Sequence, residues 1–291
     1  MNAPASASIV TTSDGLPFLS IANPHATARI YLHGAHVAQW RPTGHSEVLW
    51  MSSRSNYVPG KPIRGGIPLC FPWFGPNPQR PELAAHGFAR IRPWTVTQLS
   101  DLPDGSSRVR LTLESDSDTL ALWPHAFSAE LTVTVGTTLD VELAVTNRGS
   151  TPSPCEAALH TYFTIGDIRR IAVEGLAGGT YIDKMANAAR TVQAGAITFS
   201  GETDRVYLGS ESAVVIRDPV LGRRITVAKR GSRSTVVWNP WVTKSAAMPD
   251  FGDHEWPGMV CIETANVADD HLTIASGATQ RMAAILSVTG I

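Results

Sequence analysis

The chain has 291 residues, of which 43% are hydrophobic and 17% are charged. This apolar fraction is sufficient for a large core and excludes a disordered chain. The 24 basic and 25 acidic residues leave a formal charge of -1. The sequence therefore predicts no broad nucleic-acid surface, which needs a clustered excess of Lys and Arg, but it is compatible with a small anionic ligand.

Targeting signals and cysteines indicate where the protein works. No apolar stretch approaches the ~20 residues of a membrane span, and the first residues lack the basic and apolar regions of a secretory signal. Cys70, Cys155 and Cys261 are far apart and form no Cys-x-x-Cys pair, so they predict buried free thiols. We therefore expect a cytoplasmic protein without a membrane segment, and the lack of an apolar stripe favours a monomer.

Alternation of apolar and polar residues is the main pattern along the chain, and it predicts strands. The strands predicted in this way lie at 109–113, 131–135, 139–145, 214–216, 225–227 and 281–288. Two hairpins follow from the turn sequences between them, one at Gly136 and one at 218–222. Helical periodicity is scarce, and only 203–208 predicts one short helical turn.

Strand signals recur roughly every 8–12 residues, which favours a large antiparallel β-sandwich with very little helix. The sequence has no internal repeat or linker, so we expect a single domain over 1–291 with residues 1–8 loose. Two segments rich in Pro, Gly and aromatic residues interrupt the pattern, Tyr57–Trp94 and Pro240–Pro257. Long loops of this kind are usually functional or disordered. The aromatic residues favour order, and we expect both segments to pack near one end or one face of the sandwich.

Two titratable residues lie in apolar, strand-like sequence. His160 can exchange a proton near neutral pH, although a lone strand histidine is more often a hydrogen-bonded structural residue. Glu263 lies in a hydrophobic strand, where a carboxylate is costly unless it is paired or used. Burial would raise its pKa and make it a better base, whereas the structural alternative is an ion pair with a loop arginine. The sequence weighs these two interpretations of Glu263 evenly.

Polar residues in the irregular segments and the turns are candidates for ligand binding. Arg64, His86 and Arg90 stand beside glycines, which allow close approach of a ligand, and two arginines can hold a phosphate or carboxylate. Alternatively, they bind loop carbonyls at the surface. Asp204 could accept sugar hydroxyls, or it could be the commoner helix N-cap.

Aromatic residues and absent motifs narrow the ligand class. Trp73, Trp238, Trp241 and Trp256 lie in or beside the irregular segments and could stack on a pyranose, or pack in the core. The histidines show no metal-ligand spacing. Nucleotide-binding glycine loops and a Gly-x-Ser-x-Gly motif are also absent from the sequence.

At this point the chain resembles the aldose 1-epimerase (mutarotase) superfamily, and within it the D-hexose-6-phosphate mutarotase branch. The resemblance extends from about Ile30 to Val288 and depends on the order and spacing of many short motifs. These motifs are Gly34–Ala38, Pro62–Pro68, Phe71–Gly75, His86–Arg90, Leu159–Phe163, Thr203–Tyr207, Val237–Pro240 and Cys261–Glu263.

The resemblance implies an all-β, galactose mutarotase-like β-supersandwich that interconverts the α and β anomers of hexose 6-phosphates. It implies no metal and no organic cofactor. His160 would correspond to the catalytic acid and Glu263 to the catalytic base. Ring opening needs a base at the C1 hydroxyl and an acid at the ring oxygen, which we expect on opposite sides of the C1–O5 unit.

The same resemblance assigns binding roles. Asp204 and His86 would position hydroxyls and the ring oxygen, and Arg64 and Arg90 would contact the phosphate. The Arg-Gly-Gly and Gly-Phe-Ala-Arg sequences favour a phosphorylated substrate, with glucose 6-phosphate as the default among several hexoses. Trp238 is the expected stacking surface for the sugar.

Two other functions fit parts of the sequence. The main alternative is a non-catalytic carbohydrate-binding or regulatory protein on the same fold, which needs neither a base nor an acid at C1. The second is a domain of a glycoside hydrolase or polysaccharide lyase. Hydrolysis normally uses two carboxylates across the bond, for which only Glu263 and Asp204 are candidates, so we rank this function last.

Overall fold

A computed structural model describes residues 6–11, 15–77 and 79–291, and these residues form mainly antiparallel β-sheet. The strands of the first half are β1 (Ala7–Val10), β2 (Phe18–Ala22), β3 (Ala26–Tyr31), β4 (His36–Pro42), β5 (Leu69–Cys70), β6 (Thr95–Asp101), β7 (Ser107–Glu114), β8 (Phe127–Val135), β9 (Leu139–Asn147), β10 (Ser153–Cys155) and β11 (Ala157–Leu159). The strands of the second half are β12 (Tyr162–Thr164), β13 (Ala172–Glu174), β14 (Thr180–Asp183), β15 (Ala189–Val192), β16 (Thr203–Tyr207), β17 (Val214–Asp218), β18 (Arg223–Arg230), β19 (Ser234–Asn239), β20 (Met259–Asn266), β21 (Leu272–Ile274) and β22 (Thr279–Gly290). The helices are α1 (Ser117–Leu122) and α2 (Trp241–Ala247), with short 3-10 turns at Ala89–Ile91, Lys184–Ala186, Trp256–Gly258 and Ala268–Asp270.

The expected all-β architecture with little helix is confirmed, as are the strands predicted from alternation. The two predicted hairpins are β8–β9 and β17–β18. The helical turn predicted at 203–208 is wrong, because Thr203–Tyr207 forms β16 and pairs on both sides with β14 and β19. Of the residues expected to be loose, 1–5 lie outside the described residues, and Ala7 and Ser8 instead pair with β2 as part of β1.

Two large sheets dominate the fold. Sheet I has the strand order β15-β14-β16-β19-β20-β11-β5, with β12 also paired to β20. Sheet II has the order β13-β17-β18-β22-β9-β8-β7-β6. A four-stranded sheet of β1–β4 and the pair β10–β21 complete the architecture. The centre of sheet I is therefore built from strands that are distant in sequence.

One hydrophobic core joins the sheets, and strand β20 is buried on both faces. The core cluster includes Leu159 and Ile262 of sheet I, Leu131 and Val141 of sheet II, and Ile30 of the four-stranded sheet. All eight residues of β20 are buried. Because side chains alternate along a strand, Ile262 faces this core while its neighbours in β20 face the other side of sheet I.

The two irregular segments meet, as expected from the sequence. Arg64 of the first segment forms an ion pair with Asp250 of the second, at 3.0 Å between Nη2 and Oδ2. The second segment contains α2, which the sequence pattern did not predict. The six residues of α1 were also missed, although Asp116 and Thr119 cap this helix reciprocally. Helices of six or seven residues are too short to show a clear 3.6-residue pattern.

The cysteines and the helices bear on two further expectations. Cys70, Cys155 and Cys261 are buried and free, as predicted. In the described part of the chain, no helix has the length and apolar character needed to span a bilayer.

Candidate active site

A cavity of about 560 Å³ lies against sheet I, within the size range of small-molecule sites. All seven site residues predicted from the sequence line it: Arg64, His86, Arg90, His160, Asp204, Trp238 and Glu263. Another cleft of the same volume is lined by Lys229, Arg233 and Asp270, and it contains none of the seven. The fold therefore brings together residues spread over 200 positions of the sequence.

The strand order of sheet I arranges these residues in a row. Asp204 on β16 lies opposite Trp238 on β19, which lies opposite Cys261 on β20. Glu263 is two residues beyond Cys261 and so faces the same side of the sheet. His160 lies on the other flank of β20, between β11 and β12 rather than within a strand. Glu263 consequently stands in the middle of the row.

Glu263 and His160 are in direct contact. Glu263 Oε1 lies 3.3 Å from His160 Nε2, and the two residues are only 1% and 7% exposed. They therefore lie side by side, rather than on opposite sides of a gap as expected from the sequence. Glu263 Oε2 and His160 Nδ1 are buried and have no hydrogen-bond partner within the described residues. Unpaired buried polar atoms are costly, and a ligand in this cavity could supply the missing partners.

Packing holds the imidazole ring in one orientation. The ring of His160 stacks on Tyr162 at 4.8 Å between centroids and is edge-on to Trp238 at 6.1 Å. The backbone N–H of His160 donates to the carbonyl of Pro68. Trp238 thus supports the histidine from the side while it lines the cavity, the position in which stacking on a sugar was expected.

Burial shifts the two titratable groups in opposite directions. Burial raises the pKa of Glu263 well above its ordinary value, opposed by the nearby cation of Lys184. Burial lowers the pKa of His160 well below its ordinary value, and the neighbouring His86, Arg64 and Arg90 lower it further. Burial therefore favours the neutral forms of both groups, with the proton on Glu263 and an uncharged imidazole. This leaves one donor and one acceptor at the bottom of the cavity.

His86 is held in a left-handed backbone conformation. Its φ angle is +66°, and the next residue, Gly87, has φ +72°. The Gly87 position excludes a side chain, since an added Cβ would lie 2.0 Å from the carbonyl oxygen of Phe71. His86 Nδ1 accepts a hydrogen bond from the backbone N–H of Gly75 at 3.3 Å and lies 3.4 Å from Cys70 Sγ. Burial, followed by the charge of Arg90, lowers the pKa of His86 to about 2, so this ring is neutral.

Arg64 is largely occupied by protein partners. Its guanidinium donates to both carboxylate oxygens of Asp250, from Nη2 at 3.2 and 3.0 Å, and from Nη1 to the hydroxyl of Tyr162 at 2.9 Å. The adjacent Gly65, at φ +110°, lies against the backbone of Trp50, where an added Cβ would lie 2.4 Å from the carbonyl oxygen. This glycine therefore serves close packing within the protein, rather than the approach of a ligand expected from the sequence.

Arg90 retains free donors. Its Nη2 donates to the carbonyl of Ala85 at 2.7 Å, which corresponds to the alternative role of binding loop carbonyls. Its Nε is buried without a partner in the described residues. Of the two arginines, Arg90 has the larger unused capacity to bind an anion in the cavity.

Asp204 is neither an N-cap nor part of a turn, contrary to the local expectation. It lies within β16, and its Oδ1 is 3.2 Å from Nζ of Lys184, which follows β14. The Lys184 ammonium also lies 4.9 Å above the ring of Phe74. Both Asp204 and Lys184 line the cavity, where they can offer an acceptor and a donor to a hydroxyl.

Several residues at or beside the cavity were not predicted from the sequence. Tyr162 lies in a motif already singled out, so its role beside His160 and Arg64 could have been recognised. Lys184 and Lys244, which line the cavity, and Asp250, which pairs with the cavity residue Arg64, carry no local pattern and are recognisable only by position. In the described ranges, no group of three or more His, Cys, Asp or Glu side chains could hold a metal ion.

Comparisons with known proteins bear on the family and the fold of this chain. The aldose 1-epimerase family matches residues 17–286. A protein of Escherichia coli (strain K12), provisionally named glucose-6-phosphate 1-epimerase, is 40% identical over 259 residues, which cover 88% of this chain and 85% of that protein. A solved structure from Salmonella typhimurium, provisionally named a mutarotase, superposes with a TM-score of 0.92 at 35% identity, covering 99% of this chain and 95% of the other. A galactose mutarotase-related enzyme of Lactobacillus acidophilus, 15% identical with a TM-score of 0.76 over 94% and 97% of the two chains, shares the fold.

Proposed function

We propose, because the chain belongs to the aldose 1-epimerase family, that it interconverts the α and β anomers of D-hexose 6-phosphates. The family makes it an epimerase, and the proposal concerns the substrate and the residues that act. Glucose 6-phosphate is the first substrate to test. The buried contact between His160 and Glu263, with one unpaired atom on each side chain, is the observation that supports this function most directly.

Ring opening requires one proton to leave the C1 hydroxyl and one to reach the ring oxygen. Both oxygens are bonded to C1, so two groups that lie side by side can serve them. The proton that burial favours on Glu263 first moves across the 3.3 Å contact to His160. Glu263 then accepts the proton of the C1 hydroxyl while His160 donates to O5 as the C1–O5 bond breaks. The product is the open-chain aldehyde with a free C5 hydroxyl. Each correctly placed group is worth ~10²–10⁴-fold in rate.

Ring closure reverses these transfers on the other face of the carbonyl. After rotation about the C1–C2 bond, the C5 hydroxyl attacks C1 and gives its proton to His160. Glu263 returns its proton to the former carbonyl oxygen. The pair ends with the single proton that it held at the start, so each turnover leaves the enzyme unchanged. The low polarity of the buried site strengthens both interactions as charge develops.

The arginines suit a phosphate on the ring-oxygen side of the sugar. O5 leads through C5 to C6, and His160 would bind O5. Arg64 donates to the hydroxyl of Tyr162, whose ring stacks on His160, so its charge lies on the histidine side of the pair. Arg90 acts on the pKa of both His160 and Glu263. With its free donors, Arg90 is the primary phosphate contact in this proposal, and Arg64 is a second contact held in position by Asp250.

A non-catalytic sugar-binding protein is the alternative. It would need hydrogen bonds to hydroxyls and aromatic surfaces, which the cavity also offers. It would have no use for a carboxylic acid and an imidazole forced together in a buried position, since burying them costs stability. This pair therefore favours catalysis.

The test is anomer exchange on freshly dissolved α-glucose 6-phosphate, followed by polarimetry or exchange NMR after subtraction of the uncatalysed rate. The wild-type chain should accelerate exchange, and it should prefer glucose 6-phosphate to glucose in kcat/KM. Binding of the sugar phosphate without acceleration would favour the alternative. Acceleration of glucose and glucose 6-phosphate with equal efficiency would reject the phosphate assignment.

The proposal also includes the location, assembly and domain organisation of the protein: a cytoplasmic monomer with a single domain. Three free buried cysteines support a reducing compartment such as the cytoplasm. One core that joins three sheets supports a single domain over 1–291. The lack of an apolar stripe in the sequence supports a monomer. Light scattering of the purified protein tests the monomer directly.

A further inference from the structure

The connectivity of a pyranose imposes an orientation on the proposed complex. C1 is bonded to O1, to O5 and to C2. If Glu263 binds O1 and His160 binds O5, then C2 and its hydroxyl lie on the flank of Glu263 that faces away from His160. The residues on this flank are therefore the ones that contact the C2 hydroxyl.

Sheet I determines which residues these are. Strand β20, which carries Glu263, has β11 on one side and β19 followed by β16 and β14 on the other. Neighbouring strands are ~4.8 Å apart, so side chains from β16 and from the end of β14 reach the same cavity. These side chains are Asp204 and Lys184, and both line it.

Lys184 is held in position by its surroundings. Its Nζ lies 3.2 Å from Asp204 Oδ1 and 4.9 Å above the ring of Phe74. The preceding residue, Asp183, accepts a hydrogen bond from the backbone N–H of Met185 and forms an ion pair with Arg205 at 3.4 Å. The Lys184 side chain is 38% exposed and that of Asp204 is 16% exposed, so both are accessible from the cavity.

The charges around the catalytic pair support this arrangement only in part. Lys184 and Asp204 affect the pKa of Glu263, His86 and Arg64 affect that of His160, and Arg90 affects both. The arginine side of the pair suits C6 and its phosphate. The lysine side has a cation and a carboxylate in contact, and a hydroxyl can donate to one and accept from the other at the same time.

We propose that Lys184, together with the Asp204 that it contacts, forms the subsite for the C2 hydroxyl of the sugar. The enzyme then selects hexose 6-phosphates that carry this hydroxyl, in the orientation of glucose, over 2-deoxy and C2-epimeric analogues. This inference rests on the proposed function and names Lys184 as a specificity residue that the sequence motifs do not include.

A comparison of two substrates and two variants tests the inference. The substrates are glucose 6-phosphate and 2-deoxyglucose 6-phosphate, which differ only in the C2 hydroxyl. Lys184→Met should lower kcat/KM about tenfold on glucose 6-phosphate, as for the loss of a hydrogen bond to a charged group. On the 2-deoxy substrate the same change should cost about twofold at most, since the contact is already absent. The control is Lys61→Met, at an exposed lysine outside the cavity lining, and both substrates should be unaffected.

Four results would overturn the inference. An equal loss on both substrates would assign Lys184 a purely structural or electrostatic role. A loss on glucose 6-phosphate but not on free glucose would make Lys184 a phosphate ligand. Absence of any wild-type acceleration would reject the proposed function and this inference together, whereas an active wild type with no difference between the substrates would reject the inference alone.

Discussion

Replacement of Glu263 by Gln separates the two consequences of a buried acid, because activity and stability should change in opposite directions. The Gln side chain has the size of Glu and keeps one of its two oxygens, but it cannot accept the proton of the C1 hydroxyl. Loss of a general base costs ~10²–10⁴-fold in rate, or roughly 3–5 kcal/mol in activation free energy. We therefore expect almost complete loss of anomer exchange, measured by exchange NMR on glucose 6-phosphate.

The free energy of unfolding should increase in the same variant. Glu263 is 1% exposed and burial disfavours its charged form, and replacing a buried ionisable group by a neutral one of similar volume gains about 1–3 kcal/mol. An amide can donate to His160 Nε2, which is 3.3 Å from the present Oε1. A gain of this size corresponds to a Tm increase of roughly 2–6 °C in a chain of this length.

The gain in stability should depend on pH. Burial raises the pKa of Glu263 above its ordinary value of 4.5, so the folded protein binds a proton that the unfolded chain releases. The contribution of this side chain to stability is therefore complete at low pH and decreases as the pH rises. Because Gln does not titrate, the Tm difference between variant and wild type should be larger at about pH 8 than at about pH 5.

A matched control and a clear contrary outcome complete this experiment. Glu174→Gln removes an exposed carboxylate paired with Arg217, and exposed pairs contribute less than about 1 kcal/mol, so activity and the pH dependence of Tm should stay unchanged. Activity of Glu263→Gln within a few-fold of wild type would refute the role of the base. A Tm difference that does not grow with pH would refute the argument from burial.

Four further variants test the remaining assignments. His160→Ala should lower anomer exchange by ~10²–10⁴-fold while the circular dichroism spectrum stays native, and activity within a few-fold of wild type would exclude the role of acid. Arg90→Ala and Arg64→Ala should each weaken binding of glucose 6-phosphate by roughly tenfold or more and leave binding of free glucose little changed. Equal losses of binding for both sugars would contradict the phosphate assignment. Asp250→Ala should lower the free energy of unfolding by about 3 kcal/mol, measured by urea denaturation, because Arg64 loses its buried carboxylate partner. A change below about 1 kcal/mol would show that this pair contributes little.

The local pattern of apolar and polar residues was sufficient to predict the all-β architecture. The strands around 131–145 and 214–227 show a period of two and form as predicted, because alternation reflects a sheet with one face in the core. The pattern failed where pairing partners are distant. Residues 203–208 predicted a helical turn, yet β14 and β19 hold them as a central strand. Strand pairing between remote segments overrides a weak local preference.

For the site, the sequence by itself determined which chemical groups are present: a carboxylate in an apolar strand, a histidine in an apolar run and two arginines beside glycines. Only the tertiary structure decided which groups touch. The 3.3 Å contact of His160 with Glu263, the pairing of Arg64 with Asp250 and the placement of Lys184 beside Asp204 all cross between strands or loops far apart in the chain. Side-chain pairing and pKa depend on neighbours in space and on the exclusion of water, and no local pattern in a sequence carries that information.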